Sequence, residues 1–343
     1  MKKKYQNAFF IVGLSILGLM ITQLDFAEAY LGICRAGYWF LAVVMLWAVL
    51  YIFNTAAWWI IIHAPSEYTK TDRQRFSIAW LYKITVSGFA LNYATPGGLM
   101  GGEPYKIMSL SPKIGTEHAT ASVILHTMTH IFSHFWFWLL SCVLFILTEP
   151  MTMFMGILLA LVTLFCLTAI WFFLKGYKKG IAQSLMQVLS HLPFIKRWAV
   201  RFISQHADQL KNIDLQIAAL HNQNHQTFMM AVLLELICRI ISALEIYFIL
   251  LVIMPEASYI QCILILAFTS LFANMLFFIP LQLGGREGGF LISVSGLGMT
   301  ASEGIFVALL VRLRELIWTG IGLLLIKLEK KSTFPREKET ENV

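Results

Sequence analysis

PGGLMGGE at residues 96–103 and PLQLGGRE at residues 280–287 share the pattern P-x-x-L-x-G-x-E. Pro96, Leu99, Gly101 and Glu103 return as Pro280, Leu283, Gly285 and Glu287, each 184 residues further on. Each copy closes an apolar run, 76–95 in the first case and 259–280 in the second. Proline followed by paired glycines ends a helix, and the glutamate that follows sits where a new helix would start. The repeated motif therefore reads as the tip of a helical hairpin, used twice. The plainer alternative is two ordinary Pro-Gly loops at a surface.

The surroundings of the motif decide between soluble and membrane readings. Apolar residues make up 58% of the 343, charged residues only 13%, and mean hydropathy is +0.71. Soluble domains carry about 25% charge, so this chain is too poor in charge to cover a globular surface. Crossing a bilayer takes about 20 apolar residues. Six runs meet that length, near 8–24, 38–62, 118–147, 151–174, 228–253 and 303–326. The expected fold class is all-α: a polytopic membrane helical bundle of about six full spans plus two re-entrant hairpins. No soluble domain large enough to be an enzyme remains.

Charge sets the expected orientation. Lys2, Lys3 and Lys4 precede the first run, and positive residues stay on the cytoplasmic side. That run resembles a signal sequence before Ala27-Glu28-Ala29, but signal cores are about 7–15 residues and this one is longer. The 25–37 stretch reads as an outer loop. Lys70, Arg73 and Arg75 mark the next loop as inner, as do seven Lys and Arg residues between Lys175 and Lys211. Balancing the crossings then requires 76–117 to enter and leave by the inner face. It also requires 259–302 to enter and leave by the outer face. The expected division is one transmembrane domain over 1–343. A first half, 1–174, contains hairpin 76–117, and a second half, 228–328, contains hairpin 259–302. A cytoplasmic amphipathic insert, 175–227, joins the halves, and a cytoplasmic tail, 329–343, follows. Three full spans separate the two tips, so the second copy is inverted. Inverted repeats with broken helices meeting near the midplane typify many transporters.

Two stretches then carry a family resemblance. NYATPGGLMGGEPYKIMSLSPKIG (92–115) and FFIPLQLGGREGGFLISVSGLGMTASE (277–303), each leading into a long span, resemble the lysylphosphatidylglycerol-synthase transmembrane, or flippase-like, family. The similarity runs from about residue 5 to 328. That family includes the lipid-translocating membrane part of the multiple peptide resistance factor. The resemblance implies lipid translocation in a cell membrane. It gives no support to synthase chemistry, because the aminoacyl-transferase domain of the best-known members has no counterpart before Val343.

Site candidates follow from the chemistry of a buried headgroup. Gly98, Gly101, Gly102, Gly284 and Gly285 would let backbone approach a ligand closely. Helices starting at Glu103 and Glu287 would aim N–H groups and a positive dipole end at a phosphate. The alternative is that each glutamate merely partners its own helix dipole. Glu235 and Arg239 lie four apart on one span, Arg312 and Glu315 three apart on another. They are either structural pairs or headgroup ligands, since charge within the bilayer costs about 2.5–3.5 kcal/mol and is seldom idle. Arg286 and Arg314 are weaker candidates, and Glu245 is unassigned. His126, His130 and His134 share a helical face, but no Cys or Asp completes a metal set. Packing or interhelical hydrogen bonding is the better reading of them. The five cysteines have no metal or redox spacing. No Walker, H-E-x-x-H or D-x-D motif is present, so no cofactor is expected.

The expected partner is a membrane lipid with an anionic or phosphate-bearing headgroup. A separate lipid-modifying enzyme is a further expected partner, and the net charge of +7 points to anionic lipid rather than nucleic acid. The leading reading is a lipid flippase or scramblase. A secondary transporter for a polar solute and a non-catalytic membrane partner of a synthase or glycosyltransferase are the alternatives.

Overall fold

The computed structural model describes residues 26–64, 76–93, 101–176, 225–275 and 285–328, with seven positions between 7 and 22. These residues form ten helices, and no strand occurs among them. They are α1 (Phe26–Ala36), α2 (Tyr38–Ile62), α3 (Ile78–Tyr93), α4 (Gly102–Ile114), α5 (Thr116–Thr148), α6 (Met153–Gly176), α7 (His225–Leu250), α8 (Tyr259–Met275), α9 (Gly285–Gly296) and α10 (Ala301–Leu328). Most of the first apolar run (8–24), both tips from Pro96 to Leu99 and from Pro280 to Gly284, nearly all of the 175–227 insert, and the 329–343 tail lie outside the described residues.

Among the described residues, four helices are long and apolar enough to cross a membrane: α2, α5, most of α6 and nearly all of α7. That is fewer than the six expected. Most of the first expected span is outside the described residues, and α10, although 28 residues long, carries Arg312, Arg314 and Glu315 in its middle. Wide apolar faces of α2, α5, α6 and α7 are exposed, including Leu41, Met45, Ile52, Val143, Leu161, Leu164 and Leu233. Such faces suit hydrocarbon rather than water. The chain is a multi-pass membrane protein.

Within the 25–37 stretch, expected to be an outer loop, Phe26–Ala36 is helical. Ala29, Gly32 and Ala36 are buried at helical spacing, and Gly32 lies against Leu309 of α10. Small residues at i, i+3 and i+7 give this short helix a face that can dock closely.

Two four-helix units follow, α2–α5 and α7–α10, each reading long, short, short, long. Their packing is symmetrical under exchange. Within the units, α2 on α3, α3 on α4, α4 on α5 and α2 on α5 are matched by α7 on α8, α8 on α9, α9 on α10 and α7 on α10. Between them, α3 packs on α10 as α8 packs on α5, and α2 packs on α10 as α7 packs on α5. The first helices of the units, α2 and α7, pack on each other. They run antiparallel: Trp39 stacks on Phe248, Trp47 bonds Glu245, and Asn54 bonds Cys238. Asn54 and Cys238 are 184 residues apart, the spacing of the tip motifs, so equivalent positions meet on the line that relates the units.

Close helix approach is built with glycine at two points. A Cβ on Gly102 of α4 would fall 2.1 Å from the Gly88 carbonyl oxygen of α3. A Cβ on Gly322 of α10 would fall 2.4 Å from Ala90 Cβ, also on α3. Small residues at membrane helix interfaces let backbones pack without a hydrophobic drive. Helix α3 is thereby clamped between its own hairpin partner and the last helix of the other unit.

Candidate functional site

Two polar clusters lie inside the bundle, and each draws on both units. The larger gathers around α9 and α10. Helix α9 opens at Gly285, which places Arg286 and Glu287 in its first turn. The Arg312 guanidinium donates to Glu287 Oε1. Arg286 donates to the Glu315 carboxylate and to the Tyr93 hydroxyl, and that hydroxyl is also bonded to Glu315. Tyr93 is the last residue of α3, immediately before the first motif. The flanks of the two motif copies are therefore joined through Tyr93, Arg286 and Glu315.

The same network continues inward. Arg314 is buried and holds Glu245 of α7 through two hydrogen bonds of 2.7 and 2.9 Å. Its guanidinium carbon lies 3.8 Å over the Trp47 ring, and Trp47 Nε1 donates to Glu245 at 3.0 Å. A second Arg314 nitrogen is 3.8 Å from Glu315. Three arginines thus face three glutamates, and their formal charges cancel. A small cleft opens beside them, with Arg286, Glu287, Arg312 and Glu315 on its polar side and Phe290, Ala308 and Val311 on its apolar side.

The first tip has a different chemistry. Glu103 lies in the first turn of α4. Its Oε1 accepts from Asn92 Nδ2 at 3.1 Å and lies 3.5 Å from Lys106 Nζ. Asn92 Oδ1 accepts the Gly102 N–H at 2.8 Å, so one side chain ties the end of α3 to the start of α4. Lys106 is only 2% exposed, and its ammonium sits over the Phe89 and Trp58 rings at 4.9 and 5.7 Å.

Behind those rings lies the second cluster, on α5 and α7. His130 Nδ1 is 2.8 Å from Glu235 Oε2, and His126 Nε2 is 3.4 Å from Glu235 Oε1. Arg239 donates to Ser133 Oγ and to the His130 carbonyl, both at 2.8 Å. His134 packs edge-on to His130 and beside Trp138.

These contacts revise the expected pairings. Glu235 pairs with histidines of α5 and not with Arg239, and Glu315 pairs with Arg286 and not with Arg312. Residues four or three apart share a helix face, but each of these four side chains reaches a neighbouring helix instead. Within the histidine stripe, His130 makes an interhelical hydrogen bond to Glu235, while His126 and His134 pack against Trp58 and Trp138. Arg286, Arg314 and Glu245, ranked low or unassigned on sequence, hold the centre of the larger cluster. Tyr93, Asn92 and Lys106 were not singled out, although each flanks a glycine motif. Gly102 packs against α3, whereas Gly288 has open space where a Cβ would stand. Gly98 and Gly284 are outside the described residues. Among the described residues, no cluster of His, Cys, Asp and Glu has the make-up to hold a metal ion.

Residues 8–322 match the family described as Lysylphosphatidylglycerol synthase TM region. The chain belongs to that family. The match covers both units, both motif copies and the insert between them, as the resemblance of the two motif regions implied. Neither a curated protein nor a solved structure matches the chain. Family membership makes this a membrane region of the lipid-synthase type, with a lipid-related role.

Proposed function

We propose that this chain moves a phosphate-bearing lipid headgroup, on a phospholipid or a polyprenyl lipid, between the leaflets of a cell membrane. The observation that carries the reading is the junction of Tyr93, Arg286 and Glu315, which brings the flanks of both motif copies to one charged cleft. A headgroup crosses hydrocarbon slowly because its charges lose water without replacement. A cleft lined by guanidinium groups and a helix N-terminus replaces that water while the acyl chains stay in lipid.

In the state described, carboxylates fill the phosphate's place. Arg312 holds Glu287 and Arg286 holds Glu315. Phosphate meets guanidinium with the same paired geometry as carboxylate, so a headgroup enters by exchanging with the two glutamates. The freed glutamates then face any ammonium on the headgroup. The same exchange breaks the Tyr93 junction and parts the two hairpins. Support for hairpins entering from opposite faces comes from the antiparallel course of α2 and α7 and from the exchange symmetry of the packing. With both termini cytoplasmic, the first hairpin opens to the cytoplasm and the second to the outside.

The test is purified protein in vesicles with a tail-labelled phosphatidylglycerol or polyprenyl phosphate, its leaflet read by chemical quenching. The protein should speed exchange without ATP. Arg286→Gln with Arg312→Gln should slow it by about tenfold or more, since each charged hydrogen bond contributes about 1.5–3 kcal/mol. Exchange no faster than in protein-free vesicles, for every such lipid and with or without ion gradients, overturns autonomous translocation. A lipid-presenting role beside a separate enzyme would then replace it.

A further inference from the structure

The α5–α7 cluster takes no part in the charged cleft, and its geometry asks for a ligand of its own. Glu235 is 1% exposed and His126 is 2% exposed. Glu235 Oε1 and His126 Nε2 face each other at 3.4 Å, yet neither has a hydrogen-bond partner among the described residues. Buried polar atoms are nearly always bonded, and each exception calls for an explanation. Of the two facing atoms, one is an imidazole nitrogen and the other a carboxylate oxygen, so a proton carried by either would be shared between them. The other carboxylate oxygen already meets His130.

We propose that Glu235, His126 and His130 form a proton-binding site whose occupancy is coupled to the first hairpin. One proton binds to His126 Nε2 or to Glu235 Oε1 and later leaves the same pair, so only an N–H or O–H bond is made and broken. The groups that face the site are few. Helix α5 supplies His134 beside the two ligands, and α7 supplies Arg239 and Cys238. Helix α2 supplies Trp58 and Tyr51, while α8, packed on α5 and α7, contributes no Asp, Glu, Lys or Arg. Helix α4 supplies Lys106, behind the aromatic rings.

Coupling follows from those rings. His126 stacks on Trp58 at 5.7 Å and Phe89 lies 6.0 Å from His130. Lys106 Nζ lies over both Trp58 and Phe89. Protonation adds a second cation to an aromatic pair that already holds one. Repulsion between like charges in a low-dielectric interior then drives Lys106 towards Glu103, whose Oε2 is buried without a bonding partner. Lys106 packs against Gly88 so closely that a Cβ there would lie 2.5 Å from its Cε. Movement of Lys106 therefore loosens the α3–α4 contact at the tip.

The coupling to transport rests on the proposed lipid movement, whereas the proton site does not. The experiment uses the full chain in vesicles of phosphatidylcholine and tail-labelled phosphatidylglycerol, with a pH-sensitive dye inside. A gradient of about one pH unit biases each coupled proton by about tenfold. Lipid movement that changes several-fold with the gradient, together with acidification that needs the labelled lipid, supports the coupling. Both signals should vanish in Glu235→Gln and fall in His126→Gln. Lipid movement indifferent to the gradient, without acidification, overturns the coupling and leaves the translocation reading standing. Proton entry that Glu235→Gln abolishes, without lipid movement, keeps the site and overturns translocation. With neither flux, both fail. The wild-type gradient dependence decides the coupling even if a variant does not fold.

Discussion

Arg314 and Glu245 form a buried ion pair that does not line the charged cleft. Both are almost fully enclosed, joined by two hydrogen bonds, and covered by Trp47. Removing one partner strands a charge and costs about 3–5 kcal/mol, whereas replacing both with apolar residues is often neutral or stabilising. Arg314→Leu alone should therefore lower the melting temperature in detergent sharply. Arg314→Leu with Glu245→Leu should recover most of the loss and keep lipid exchange. Equal losses in the single and double variants would make Arg314 more than a brace. Sequence could place these charges within spans but could not pair them, because spacing along a helix says which residues share a face, not which neighbour that face meets. Glu235 and Arg239 made the point most clearly: four apart, they turn to different partners on α5.

Helix boundaries were far more legible than side-chain pairs. The expected run 38–62 coincides with α2, and the described parts of the apolar runs 76–95 and 259–280 are helical, as α3 and α8. Runs of apolar residues are a local signal, so sequence carries them. What sequence could not give is how closely two helices approach. Gly320 and Gly322 look alike in α10, yet a Cβ on Gly320 meets nothing within 4 Å while one on Gly322 meets Ala90 and the Val86 carbonyl of α3. The Ser87 hydroxyl donates to the Gly322 carbonyl at the same crossing. Gly322→Val should cost about 1–3 kcal/mol or more by overpacking, and Gly320→Ala should leave stability unchanged or raise it slightly. Thermal unfolding of the two variants in one detergent compares them directly. Matching stabilities would remove the α3–α10 crossing from the supports of the fold.

At the scale of the whole molecule, the repeat seen in eight residues extends to the packing of eight helices. Units that exchange contacts in this way, with α2 antiparallel to α7, need an odd number of crossings between equivalent helices. The spans α2, α5 and α6 supply three if each hairpin returns to the face it entered. Helix α4 argues for such a return, because Lys106, Glu103 and Pro112 would be poor lipid-facing residues and Lys106 is wholly buried. The arms also fold back on each other, with Gly102 against Asn92 and Lys106 against Gly88. Single cysteines at Ser111 of α4 and Ser295 of α9, in a background without the five native cysteines, should then react with impermeant reagents from opposite faces. Ser111→Cys should label only when the cytoplasmic face is open, and Ser295→Cys in intact cells. Ser295 is exposed and Ser111 partly so, so accessibility does not bias the comparison towards silence at both. Labelling of both from one face would require one hairpin to cross completely, would make the units parallel, and would remove the opposed hairpins on which movement of a headgroup from face to face depends.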